Sequence, residues 1–338
     1  MSSWNELLAQ HAAPLTTAQL QAGFVAPITD LGLIALDGEE SASFLHNQLT
    51  NDVEHLGQGE VRLAGYCSPK GRLLASFLMW RNATTIFLQL PRDIQAPVQK
   101  RLSMFVLRSK TKLSDATDAP ANQLLLGLGG ASANTLLGQW FSALPAAPYT
   151  RIDAEAGTLI RVADAFGAPR YQWLMSAETA AAVVPVLAGK LTVGAGDAWR
   201  LSEIHAGVPQ IAKATQEQFV PQMVNYELLG GVNFKKGCYP GQEIVARSQY
   251  LGKLKRRTTL VSIPDANAAA GMEVFATADP EQPCGMIVNA APNGQGGIDA
   301  LVEMKLAAIE AGSVRLGSAD GVALTFLDMP YVLEPLDL

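Results

Sequence analysis

The residues best placed for chemistry lie in "NFKKGCYPGQEIVAR", residues 233–247. Here Cys238 stands between two lysines and a Pro-Gly pair, in a chain with only three cysteines. Lys235 and Lys236 are close enough in sequence to favour a thiolate if their ammonium groups face it. Gly237 and Gly241 free the backbone on either side, and Pro240-Gly241 predicts a type II turn with glycine at the positive-φ position. Gln242 and Glu243 add an amide and a carboxylate, able to recognise a heterocycle with donor and acceptor edges. A structural turn with an inert thiol explains the same residues equally well.

The segment 235–257 also carries seven basic side chains (Lys235, Lys236, Arg247, Lys253, Lys255, Arg256, Arg257) against one acid, Glu243. Such a field suits an anion with several charges, such as a polyglutamate tail, phosphates or RNA. A solvated edge strand guarded by lysines is the plainer reading. Only Tyr239 and Tyr250 interleave with the basic residues, which disfavours a stacking surface for RNA. On "AWRLSEIHAG", Trp199 and Glu203 are four apart and share a helix face, an aromatic plate beside a carboxylate. A core Trp with a surface Glu fits the spacing too.

Other site classes find little support. Cys67, Cys238 and Cys284 are far apart, with no C-x-x-C, and His11, His46, His55 and His205 form no H-E-x-x-H. No metal site is predicted, and the sparse cysteines point to a reducing compartment, the cytoplasm. "LLLGLGGASANTLL" has Ser132 where a dinucleotide loop needs its third glycine. "MSSWNELLAQHAAP" lacks the apolar run of a signal peptide and reads as a short helix capped by Ser3. No stretch is long and apolar enough to cross a membrane.

The elements that must position these residues are readable from turn chemistry. Residues 31–38 read as a strand and 39–49 as a helix. "EVRLAGYCSPKGRLLASFLMWRNATTIFLQLP" holds three apolar runs split by "SPKG" and "RNAT", an antiparallel meander. A helix is predicted over 92–107, a strand over 122–130, and paired strands in "GTLIRVADAF" and "RYQWLMS". Ser176 and Asp197 are predicted to cap the next two helices. From about 250 short strand-like runs take over, including "DALVEMKLAAI", as in a small β domain. At 338 residues and 49% hydrophobic, with net charge −6, the chain is a globular protein of α+β class without regular β-α-β alternation.

Lys236-Gly237-Cys238-Tyr239-Pro240-Gly241-Gln242-Glu243 matches without departure the K-G-C-[FY]-x-G-Q-E hallmark of the YgfZ folate-binding family. "FLHNQLTNDVEHLGQGEVRLAGYCSPKGRLL" resembles the N-terminal block shared with the glycine cleavage T-protein, an aminomethyltransferase. "RLSEIHAGVPQI" is similar to the helix and loop that precede the hallmark. The resemblance spans nearly the whole chain. It implies a ring of three modules around a central hole for tetrahydrofolate or a one-carbon-substituted folate. Residues 1–249 would form the folate-binding region and 250–338 a C-terminal β-barrel. It further implies a monomeric cytoplasmic accessory protein that serves iron–sulfur client enzymes or assembly factors, including those that methylthiolate tRNA. Trp199 would stack on the folate, Lys235, Lys236 or Arg247 would meet its glutamate tail, and Tyr239, Gln242 and Glu243 complete the expected contacts. Cys238 is the expected reactive group.

Three departures bear on the reaction. Ala75 and Ser76 stand where the T-protein has an Asp pair, which argues against glycine cleavage. The tripeptide E-A-G, often the source of a pterin-binding carboxylate, reads His205-Ala206-Gly207, and Glu203 is expected to point elsewhere on its helix. Leu31 replaces a Trp found in some members. A folate-dependent one-carbon transferase and an RNA-binding module are the alternative functions.

Overall fold

The computed structural model describes residues 3–9, 13–251 and 254–333. Three antiparallel-dominated sheets organise the chain. The first runs, in spatial order, Val61–Cys67, Leu73–Arg81, Thr85–Pro91, Leu31–Asp37 and Lys112–Asp115. The predicted meander is its first three strands. Side chains along a strand alternate faces, so Ile34 and Leu36 join an outer core with Phe44, Ile94 and Val98 of two helices, while Leu33 and Ala35 face inward. With both faces covered, "LLASFLMW" (73–80) is buried throughout and shows no polar alternation.

The second sheet pairs Phe24–Pro27 with Leu124–Gly129, then Ala168–Met175, Gly157–Ala165 and Thr150–Ala154, with the short strand Thr192–Val193 parallel at its edge. Leu126, Leu128 and Trp173 pack outward on helix Ala177–Ala188, whose N-cap is Ser176 as predicted. The third sheet comprises Arg256–Ile263, Glu273–Ala276, Asp279–Pro292, Ile298–Lys305, Val314–Leu316 and Thr325–Leu327, curled into a half-barrel over its own core. The tail of "DALVEMKLAAI" is not strand but a short helix, Leu306–Ala311.

All three sheets turn one face to a common central core that contains Leu33 and Leu63, Ile160 and Val162, and Leu260 and Leu301. Helix Gly196–His205 threads this centre and is tied to three surroundings by charged side chains. Arg200 Nη1 pairs with Asp30 at 2.8 Å, Glu203 Oε1 with Arg170 at 2.9 Å, and His205 Nε2 with Asp299 at 2.7 Å. Its N-cap is Ala195, not Asp197, which lies in the first turn where its charge suits the helix dipole. The helix predicted over 39–49 is shorter, Ser41–His46, and that over 92–107 ends at Met104. The first helix is Ser3–Ala9; the remainder of its predicted span, 10–12, and the Ser3 side chain lie outside the described residues.

The His205–Asp299 pair gives the junction an acid sensitivity. Burial alone would raise the Asp299 carboxyl, but hydrogen bonds with His205, Asn293 and Ser262 bring it below the usual carboxylate range. A lowered folded value means the contribution is fully present above the unfolded value, about 3.9, and is lost as pH falls through the folded one. Asp299→Asn is therefore expected to cost about 2 kcal/mol at pH 7 and to flatten the decline of stability below pH ~4. Urea unfolding at pH 7, 4 and 3 checks it; an unchanged acid slope would refute the assignment.

Candidate functional site

The site grows from polar residues on otherwise apolar strands. Gln89 and Gln172, on facing sheets, are both buried and joined by an Nε2–Oε1 hydrogen bond of 2.8 Å. Two residues along the second strand from Gln172, and so on the same face, is Arg170, 1% exposed. Its Nη1 donates to Glu203 Oε1 and Ser202 Oγ, both at 2.9 Å, and its Nε donates to Ala163 O. The guanidinium also lies 4.9 Å from the centroid of the Trp199 ring.

Gln89, Gln172, Glu203, Tyr149 and Ser76 line an inner chamber whose apolar walls include Leu63 and Tyr226. It leaves about 30 Å³ to the centre of a water-sized sphere, and Glu203 is the one carboxylate among its described lining residues. The chamber shares Leu31 and Gln89 with a wider funnel of about 580 Å³, where Arg92 pairs with Asp118 at 2.8 Å. Tyr149 Oη is buried without a hydrogen-bond partner, as are Trp199 Nε1 and Arg170 Nη2. Burial and the Glu203 charge push the Tyr149 phenol up, with Arg170 opposing, so it stays a neutral donor.

Several expectations change here. Glu203 is neither a surface residue nor turned away: it lines the chamber. Trp199, 1% exposed, offers no free face for stacking, because Arg170 covers its ring and the ring fills the space beside Gly127, where a Cβ would collide with it. Its part is to wall in Arg170. His205 has left the chamber to Glu203 and serves as the strut to Asp299, with Phe166 at 4.9 Å.

The Cys238 loop forms a separate neighbourhood, and its predicted residues are absent from the linings of the chamber and the funnel. Gln242 N donates to Tyr239 O at 3.2 Å, and Gly241 has φ +80° and ψ 3°, the predicted type II turn. Gly241 packs on Ser68 and Gly71 of the "SPKG" turn, too close for a side chain. Gly237, by contrast, has no positive φ among the backbone values and no crowding. Tyr239 is 7% exposed and packs into the central core, so its ring is an anchor. Lys236 Nζ donates to the carbonyls of His46 and Leu49, the latter at 2.9 Å, and sits 4.8 Å from the Tyr239 ring. Burial brings its ammonium down to about 8, against the pull of Asp52, Cys238 and Glu54. Lys235 is exposed; Glu243 and Arg247 are exposed in the first and last turns of helix Gln242–Tyr250, with Gln242 half-buried at its start. Their charges complement the helix dipole there.

Cys238 is exposed, whereas burial pushes the Cys67 thiol up to about 12 and raises that of Cys284. The basic field of 235–257 is partly internal: Arg256 pairs with Glu303 and the buried Arg257 with Glu227, while Lys253 lies outside the described residues. Sequence reasoning missed Gln89, Tyr149, Arg170 and Gln172. The signal was present for two of them, since Arg170 and Gln172 are polar at spacing two in the strand "RYQWLM".

Three sheets sharing one core, with a helix and a polar chamber at the centre, define a protein of the aminomethyltransferase fold. The chain superposes on the glycine cleavage system aminomethyltransferase T from Bartonella henselae with a TM-score of 0.73, covering 95% of this chain and 91% of that one at 16% identity. It is 33% identical to the tRNA-modifying protein YgfZ of Cronobacter sakazakii over 248 residues, 72% of each chain. It is 31% identical to the same-named protein of Pectobacterium carotovorum over 243 residues. No family model matches. The chain belongs to the YgfZ family. Among the described residues no helix is long and apolar enough to cross a membrane, and no group of three or more His, Cys, Asp or Glu could hold a metal ion.

Proposed function

We propose that this protein binds tetrahydrofolate, or a one-carbon-substituted form, at the junction of chamber and funnel, and acts as an accessory to iron–sulfur enzymes, including those that modify tRNA. The observation that carries the folate reading is the inner chamber's polar set. Glu203 and the side-chain amides of Gln89 and Gln172 offer acceptors and donors in the chamber lining, and the Tyr149 phenol lacks a partner. A pterin presents a matching edge of ring nitrogens, an amino group and a carbonyl. Buried polar groups left unpaired are costly, and such a ligand would satisfy them.

The inner chamber holds little more than water, so the bicyclic ring seats at the junction with the funnel and its tail runs outward past Arg92. Arg92 therefore replaces Lys235, Lys236 and Arg247 as the cation for the glutamate carboxylates. Ala75 and Ser76 supply no carboxylate, which keeps aminomethyl transfer the weaker reading. The exposed Cys238 and the family's tRNA-modifying relatives support the accessory role.

Calorimetric titration with tetrahydrofolate tests the ligand. The wild type is expected to bind at submillimolar concentration, and Glu203→Gln to bind about tenfold more weakly through loss of one charged hydrogen bond. Absence of heat at submillimolar ligand would sink the folate reading. For the accessory role, Cys238→Ala should fail to restore iron–sulfur enzyme activity in a deletion strain; full rescue would refute a chemical role for the thiol.

A further inference from the structure

Two stretches far apart in sequence, 46–52 and 230–239, are fastened together. Asn51 Nδ2 donates to Gly230 O at 2.8 Å and to Leu63 O at 2.7 Å. Thr50 Oγ1 donates to Gly231 O at 2.6 Å, and Asn233 N donates to Thr50 O at 2.9 Å. Lys236 Nζ then reaches back to the carbonyls of His46 and Leu49. These bonds fix the loop that bears Cys238 against the end of the helix that bears His46.

His46 is only 12% exposed at its side chain, and its Nδ1 lies 3.1 Å from Asp52 Oδ1. The Asp52 carboxyl is held below the usual range: burial would raise it, but hydrogen bonds with His55 and the charges of His55 and His46 outweigh that. An ionised carboxylate can only accept, so in the neutral imidazole it is Nδ1 that carries the ring proton and Nε2 that presents its lone pair. Nε2 looks towards the loop: a methyl group placed on Gly237 would lie 3.8 Å from it. The next residue is Cys238, the one exposed cysteine.

We propose that His46 is the proton acceptor for Cys238 and that Asp52 is its positioning residue. The Cys238 Sγ–H bond breaks, the proton goes to His46 Nε2, and the S–H electron pair stays on sulfur. The products are a thiolate and an imidazolium held by the Asp52 carboxylate, with no electron transferred. This arrangement follows the general logic of a nucleophile, its base and an orienting group. The charged and titratable groups around the pair include Asp52, Lys236, Glu54, Arg62, whose Nη1 donates to Asp52 O at 2.8 Å, and His55, whose Nδ1 shares Asp52 through Oδ2 at 2.8 Å. Lys236 is engaged by two carbonyls and the Tyr239 ring, so its role is to clamp the loop. The thiolate so formed is reactive towards a carbon or sulfur electrophile. The inference deepens the reading of Cys238 as the reactive group, and its test involves no folate, so either can fail alone.

The experiment is the rate of Cys238 alkylation by iodoacetamide from pH 5.5 to 9.5, followed by intact-mass spectrometry on the full chain. Buried Cys67 and Cys284 should stay silent. At pH 7, His46→Gln is expected to react about tenfold more slowly than wild type, with its profile moved to higher pH, and Asp52→Asn to fall between. Rates within about twofold and superimposable profiles would overturn the proposal. Should His46→Gln fail to fold, the imidazole titration of His46 can be compared by NMR in wild type and Cys238→Ser, whose altered position is exposed. A titration that changes on loss of the thiol supports the pairing, and identical curves overturn it.

Discussion

Replacing Glu203 by alanine is expected to lower stability by about 3–5 kcal/mol, because it leaves the Arg170 guanidinium buried without a counter-charge. Arg170 is 1% exposed and cannot shed its proton to escape the cost. Its remaining bonds, to Ser202 Oγ and Ala163 O, solvate it only in part, and Nη2 already lacks a partner. Chemical denaturation reads the loss directly, and a cost below about 1 kcal/mol would show that water or a neighbour replaces the carboxylate. The double change Arg170→Met with Glu203→Leu separates stability from function. Exchanging a whole buried ion pair for apolar residues is often neutral or favourable. That variant should therefore fold as well as wild type and still bind no tetrahydrofolate. That outcome would account for so costly a buried pair by what Glu203 offers to the chamber.

The contrast between Arg170 and the 235–257 segment shows what a sequence conveys about a site. Strands were legible because turn residues such as "SPKG" and "RNAT" interrupt apolar runs, and the type II turn at Pro240-Gly241 because only glycine sits easily at φ +80°. Leu306–Ala311 was not, since "LAAI" after a strand carries no turn signal. The chamber escaped notice because it is assembled from Gln89, Tyr149, Gln172 and Glu203, which meet only when the sheets close on one core. Charge counting misled for the same reason. Arg256 and Arg257 swell the apparent field, yet their partners Glu303 and Glu227 lie 47 and 30 residues away. A run of charges says nothing about which way each side chain turns. Trp199 and Glu203 were rightly placed on one helix face, but Arg170, the residue that occupies that face, comes from another sheet.

Glu227→Ala is expected to have an effect of similar size, about 3–5 kcal/mol, at a different place. Arg257 is another deeply buried cation, 2% exposed, on strand Arg256–Ile263 of the half-barrel. It donates to Glu227 and, at 3.0 Å, to Gln222 O. Around it Asn225 Nδ2 donates to Thr258 O at 2.8 Å and Thr258 Oγ1 donates to Met223 O at 3.0 Å, so residues 222–227 are bonded onto the barrel. Asn225 holds a left-handed backbone, φ +58°, that this packing must sustain. Burial raises the Glu227 carboxyl even though Arg257 opposes it, which marks the site as poorly solvated. Glu227→Gln keeps a hydrogen-bond acceptor and should cost less than alanine, although it too removes the negative charge. The consequence reaches the Cys238 loop, because Gly230 O and Gly231 O, just beyond Glu227, are the acceptors for Asn51 and Thr50. Hydrogen exchange should therefore show faster amide exchange over 230–239 in Glu227→Ala, together with a lower denaturation midpoint. Loss of global stability with unchanged local protection in that loop would mean the barrel junction and the Cys238 loop are fastened independently.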